Sequence, residues 1–177
     1  MRIETPRLVL RPWLEADRDA FAALHADPAV MWDYGGSLPR DMCDQKFDRY
    51  RAAFDGHGYG RWLVETLAGE VVGYVGNMPS RPDHTLGPHV DIGWRLAQSA
   101  WGQGYATEAA RAALDDAFGR CGLTEVLAYT APDNLRSQAV MQRLALRRDE
   151  SRDYTGHDGV KVRRTWVWVA QPGAAQA

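Results

Sequence analysis

The stretch Val90 to Ala110 reads VDIGWRLAQSAWGQGYATEAA, with Gly102 and Gly104 at alternate positions just ahead of a helical pattern. Glycines there free the backbone to turn its N–H groups inward, and a helix start adds unpaired donors and the positive end of its dipole. Together they make an anion site suited to a phosphate or pyrophosphate. The alternative is a tight strand-to-helix turn in which the glycines only relieve crowding. A dinucleotide fingerprint fails in detail: Thr107 stands where its third glycine belongs, and the motif sits on the fourth strand instead of the first. A P-loop fails as well, because the only lysines, Lys46 and Lys161, do not follow a glycine.

Asp91 is the carboxylate of this stretch, and strand alternation puts it on the same face as Gly93. It could take a proton from an amine, attract a cationic substrate, or simply pair with an arginine. His57, His84 and His89 are the other titratable candidates, each in or beside a loop. Neither a His-Glu-x-x-His nor a Cys-x-x-Cys spacing occurs, so no metal is expected, and Cys43 and Cys121 read as reduced thiols. Trp32, Tyr34, Tyr59 and Trp62 offer an aromatic wall for an acceptor, or ordinary packing.

The elements that must position these residues are read from periodicity. Strands are expected over Arg7–Pro12, Arg61–Thr66, Glu70–Asn77, His89–Leu96, Glu125–Ala131, Arg147–Thr155 and Val160–Val169, with hairpin turns at Ala68-Gly69 and Asp158-Gly159. Helices are expected over Glu15–His25, Arg40–Phe54, Tyr105–Phe118 and Asn134–Leu144, and Met78–Pro88 reads as a loop. In the third helix Ala110, Ala113, Leu114, Ala117 and Phe118 share one face, and such small residues let it approach a sheet closely. Hairpins at both ends with crossover helices only in the second half imply an α/β fold. Its sheet is mixed, mostly antiparallel, of about seven strands flanked by about four helices.

The 177 residues carry a net charge of -2, enough chain for one domain and no basic field for nucleic acid. No run approaches the ~18 apolar residues of a membrane span, and no apolar signal core precedes Arg11, so a cytoplasmic location is expected. One domain is expected over 1–170, with a flexible tail at 171–177. The final strand alternates Trp166 and Trp168, a pattern that suits a core or a homodimer seam.

The six positions Trp101 to Ala106, with Gly104 and Ala106 in place, resemble the coenzyme A loop of the GNAT superfamily of acyl-CoA N-acyltransferases. Trp101 departs from the usual glutamine or arginine. The run Trp-Gly-x-Gly-Tyr-Ala-Thr-Glu-Ala is similar to the RimJ/RimL branch, the ribosomal-protein N-terminal acetyltransferase type. Glu4-Thr5-Pro6-Arg7-Leu8-Val9-Leu10-Arg11 resembles that branch's first strand, and Asn134-Leu135-Arg136-Ser137 its Asn-x-x-Ser helix, although Ala145 replaces the glycine usual after Leu144.

The resemblance implies a single-domain GNAT fold that takes acetyl-CoA as co-substrate, without a metal. It implies a strand splayed from its neighbour to admit the pantetheine arm, whose amides would pair with backbone groups of Trp94 and Leu96. N–H groups of Gly102, Gln103, Gly104, Tyr105, Ala106 and Thr107, beside Trp101, would take the phosphates, and an N–H near Arg95 or Leu96 would steady the oxyanion. Ser137 would donate to the departing sulfur and Asn134 contact the pantetheine, although either could be no more than helix-start hydroxyl and cap. Asp91 stands where the branch often has Glu, and is the expected base. Trp32 and Tyr34 would meet the acceptor, a protein N-terminal amine or a small amine, attacked directly in a ternary complex since neither cysteine lies in a signature. A coenzyme A-binding module without turnover is the alternative.

Overall fold

The computed structural model describes residues 1–157 and 162–173. Among the described residues nine strands form the sheet in the order β1-β2-β3-β4-β5-β6-β9-β7, with β8 pairing β9 outside that path. They are β1 (Ile3–Glu4), β2 (Leu8–Arg11), β3 (Arg61–Thr66), β4 (Val71–Pro79), β5 (Val90–Leu96), β6 (Val126–Thr130), β7 (Arg147–Arg148), β8 (Tyr154–His157) and β9 (Val162–Ala170). The helices are α1 (Arg18–Ala26), α2 (Arg40–His57), α3 (Tyr105–Gly119) and α4 (Leu135–Arg143). All neighbouring strands run antiparallel except β5 and β6.

Alternation along the strands sorts two cores onto opposite faces. Leu8, Leu10, Trp62, Val64, Ile92 and Leu96 face α3 and α4, where the alanines of α3 (Ala109, Ala110, Ala113 and Ala117) are fully buried. Leu63, Tyr74 and Met78 face α1 and α2 and close on Trp13, Phe21, Phe47 and Tyr50.

The expected strand Arg147–Thr155 is instead two short strands around a 3-10 turn at Glu150–Arg152. Asp149 N–H donates to the Val167 carbonyl at 2.9 Å and the Asp153 carboxylate accepts from Val167 N–H at 3.1 Å. Both backbone groups of Val167 are thereby satisfied by the two ends of a looped-out segment, which gives the sheet one of its two additional strands. The other, β1, pairs through Ile3 and Glu4, too few residues to show a period. The expected turn at Asp158-Gly159 lies outside the described residues. Trp168 is buried in the α3 core, while Trp166 is half-buried beneath the Arg148 guanidinium, 4.9 Å from its ring.

The seam between β5 and β6 is the feature that makes a site. These strands share a single register pair, Asp91 with Leu127, after which they diverge. From Ile92 to Leu96, β5 therefore keeps one free edge.

Candidate active site

Which backbone groups line that free edge follows from the register on the other side. Ala97 N–H donates to Val72 O at 2.9 Å, so in the antiparallel β4–β5 ladder Arg95, Gly93 and Asp91 turn their N–H and C=O toward β4. Ile92, Trp94 and Leu96 turn theirs toward the seam. The Leu96 carbonyl bears this out by accepting from the Trp101 indole Nε1 at 3.0 Å. That indole closes the end of the edge and sets the start of the glycine loop.

The loop ends at Gly104, whose φ of 78° lies in the left-handed region that glycine occupies without strain. No side chain caps α3, and the first bond into the helix runs from Glu108 N–H to Gly104 O at 3.1 Å. The N–H groups of Tyr105, Ala106 and Thr107 are left without helical partners, at the positive end of the α3 dipole. The N-terminal segment braces this turn: Arg7 donates to the Gln103 carbonyl at 2.8 Å and pairs with Glu108 at 2.6 Å, and Thr5 Oγ1 donates to Glu108 at 2.7 Å. Burial works against the Glu108 charge, but its bonds from Thr5 and Arg7 outweigh that and hold the carboxyl below its ordinary value.

Loop, free edge and α4 enclose one cleft of about 690 Å³, within the range of small-molecule sites. It is lined by residues 94–96 and 100–107, by Asn134, Ser137 and Arg136 of the α4 start, and by Val30, Trp32 and Asp33 at the opposite rim. The twelve residues expected at a coenzyme A site thus stand around a single space. Asn134 caps α4 by accepting from Ser137 N–H at 3.2 Å, and the Ser137 hydroxyl makes no bond among the described residues. Two arginines went unread in the sequence. Arg136 stacks 4.2 Å over the Trp101 ring, and Arg143 lines the cleft two turns further along α4. Their spacing of seven on one helix face was the available signal.

Unpaired N–H donors at a helix start, a free strand edge and two arginines form a donor set suited to a pyrophosphate carrying an amide-containing arm.

Asp91 does not line this cleft; alternation puts it on the face of β5 that it shares with Gly93 and Arg95. It is 8% exposed and its Oδ2 accepts from Arg61 Nη2, while Arg61 Nη1 also donates to the Gly76 carbonyl. The expected base is therefore half of a buried ion pair. No donor reaches its other oxygen, Oδ1, among the described residues. Burial works against the Arg61 charge, yet Asp91 outweighs it and holds the guanidinium above its ordinary value. Gly93 is what lets this pair form beneath the strand, since a Cβ there would meet Arg61 Nη2 at 3.0 Å.

The aromatic wall is only partly assembled. Trp32 lines the cleft and is 43% exposed. Tyr34 stands behind it, its ring 5.5 Å from Arg95 and 5.0 Å from Lys46, while Arg95 pairs with Asp33 at 2.9 Å. Trp62 is wholly buried against Phe54 on the α3 face, because its position in β3 alternates inward, so it forms no wall. Tyr59 lies with His57 at the end of α2.

The sequence matches the family model for the acetyltransferase (GNAT) domain over residues 7–147. It is 29% identical over 147 residues to the uncharacterized protein YkkB of Bacillus subtilis, covering 82% of this chain and 84% of that one. It is 33% identical over 146 residues to the FsC-acetyl coenzyme A-N(2)-transacetylase of Aspergillus fumigatus, spanning 78% of this chain and 62% of the relative. An acetyltransferase from Agrobacterium tumefaciens superposes with a TM-score of 0.80 at 27% identity, over 97% of this chain and 94% of that one. RimL, the ribosomal L7/L12 alpha-N-protein acetyltransferase, solved in complex with coenzyme A, shares the fold with a TM-score of 0.80 at 17% identity, over 98% and 99% of the two chains. The chain belongs to the GNAT acetyltransferase family, as an acetyl-CoA-dependent enzyme with a RimL-like fold.

Proposed function

We propose that the chain moves acetyl from acetyl-CoA to a primary amine by direct attack in a ternary complex. The observation that carries the reading is the seam: the cleft with its phosphate donors opens along the edge of β5 from Trp94 to Leu96, beyond the single pair, Asp91 with Leu127, that joins β5 to β6. Acetyl-CoA would supply the activated thioester. Trp94 and Leu96 would hold its arm by backbone pairing, and the N–H groups of residues 102–107, with Arg136 and Arg143, would hold its phosphates.

The Leu96 N–H, turned toward the seam by the ladder's alternation, would steady the carbonyl oxygen as it gains charge. Arg95 N–H faces β4 by the same alternation, so of the two expected donors Leu96 is the one we assign. Ser137, with its hydroxyl uncommitted, would donate to the sulfur as the carbon–sulfur bond breaks. Asp91 would receive the acceptor's ammonium on Oδ1, the oxygen that Arg61 leaves open, and Trp32 and Tyr34 would wall its approach.

Two acceptor classes are carried forward: a protein N-terminal amine, as RimL is named for, and a small-molecule amine, alongside a relative named as an N(2)-transacetylase. Coenzyme A release, measured with acetyl-CoA and a panel of N-terminal peptides, polyamines, aminoglycosides and amino acids, tests the reading. Turnover with at least one amine is expected. Coenzyme A binding without turnover on any of them would favour a binding module instead.

A further inference from the structure

The N-terminal segment meets the glycine loop from behind. Gln103 and Gly104 line the cleft, whereas Thr5, Arg7 and Glu108 do not. Arg7 uses all three nitrogens of its guanidinium: Nε donates to Glu108 Oε2 at 2.7 Å, Nη2 lies 2.6 Å from the same oxygen, and Nη1 donates to the Gln103 carbonyl at 2.8 Å. The Glu108 carboxylate is itself fixed through Oε1, which accepts from the Arg7 backbone N–H at 3.0 Å and from Thr5 Oγ1 at 2.7 Å. An anchored carboxylate thus holds one side of the planar fork, and the other side is left to grip the loop.

What that grip does follows from the planarity of the peptide. In a trans peptide the C=O and the N–H point in opposite directions, and no cis bond occurs among the described residues. With the Gln103 oxygen drawn back toward Arg7, the Gly104 N–H of the same peptide points forward, to the cleft side of the loop. That N–H has no partner among the described residues. Gly104 has φ 78° and ψ 1°, the values of the third residue of a type II turn. A type I turn differs by a flip of this one peptide, with φ about −90° at the same residue, and glycine occupies both regions at little cost. Flipped, the peptide would present the Gln103 oxygen to the cleft in place of the Gly104 N–H, an acceptor where a phosphate needs a donor. The glycine permits either arrangement, and the Arg7 bond selects one.

We propose that Arg7 is a positioning residue for coenzyme A: its bond to the Gln103 carbonyl aims the Gly104 N–H at the pyrophosphate. The role rests on the reading that seats the phosphates on residues 102–107. Standing behind the loop, Arg7 acts on binding of the coenzyme and not on the transfer step.

Arg7→Lys tests the fork against the charge. Lysine keeps a positive charge for Glu108, but its single nitrogen cannot hold both Glu108 and the Gln103 carbonyl in the geometry of the fork. Calorimetric titration should find the coenzyme A dissociation constant raised about tenfold, the usual contribution of one hydrogen bond, with kcat at saturating acetyl-CoA unchanged. Equal affinity in Arg7→Lys overturns the assignment, since charge alone would then suffice, and so does a fall in kcat with affinity intact. A spectroscopic measurement on the unmodified protein needs no variant to fold. In its proton–nitrogen-15 correlation spectrum, coenzyme A should move the Gly104 amide proton downfield, and in Arg7→Lys that shift should be lost. Weaker binding with the Gly104 shift retained in Arg7→Lys overturns the assignment. Coenzyme A bound to the unmodified protein without moving Gly104 does the same and leaves acetyl transfer standing. An unmodified protein that binds no coenzyme A overturns both.

Discussion

At the scale of single residues, the groups that make the cleft chemical differ in how their neighbours leave them. Asn134 is spent on capping α4, whereas the Ser137 hydroxyl three residues on is uncommitted. Ser137→Ala should therefore lower kcat by about 10²-fold while leaving coenzyme A affinity unchanged, since proton donation acts on the departing sulfur and not on the bound ground state. Steady-state kinetics with isothermal titration of coenzyme A separates these; a rise in the dissociation constant with kcat intact would make Ser137 a binding residue only. Asp91 was legible as a carboxylate on the right strand, but its partner was not. Arg61 lies thirty residues earlier, on a strand that does not pair with β5, and no local pattern joins them.

At the scale of elements, periodicity located all four helices, because each buries a face recurring at helical spacing, and the glycine loop declared the start of α3. The short strands β1 and β7 carry two residues each, too few for any period. The end of α4 shows a departure that is physical. Ala145 has a φ of 55° and stands where the family usually has glycine; Leu146 N–H reaches back to Met141 O at 3.0 Å across it, the bond that closes a left-handed helix end. An L side chain pays about 1 kcal/mol in that region. Ala145→Gly should raise stability by about that amount, read as an increase in the urea midpoint with an unchanged slope; no gain would mean that the Ala145 methyl makes packing contacts of equal worth.

For the whole molecule, pH acts through a core histidine. His25 is fully buried, with Nδ1 2.8 Å from the Phe21 carbonyl oxygen. Burial, and then the charge of Lys46, push its pKa from 6.5 down to about 3. The unfolded chain takes up this proton below about pH 6.5 and the folded chain does not until near pH 3. Folding stability should therefore fall as pH drops through that window, by at most about 1.4 kcal/mol per unit. Denaturation midpoints at pH 7 and pH 5 test this, above the range where carboxylates titrate. His25→Phe should flatten the difference, and an equal slope in both proteins would assign it to other groups.

The β5–β6 seam has a consequence for how the chain can be divided. Strands β1 to β5 form an uninterrupted antiparallel set, β6 to β9 a second, and one register pair with the buried face of α3 joins them. A break at the exposed turn after α3 would sever no sheet pairing within either set. Two fragments meeting there would reassemble through side-chain burial almost alone, and a molecule lying in the seam would be shared between them. Such a pair would serve as a split reporter whose reconstitution senses the occupant of the cleft.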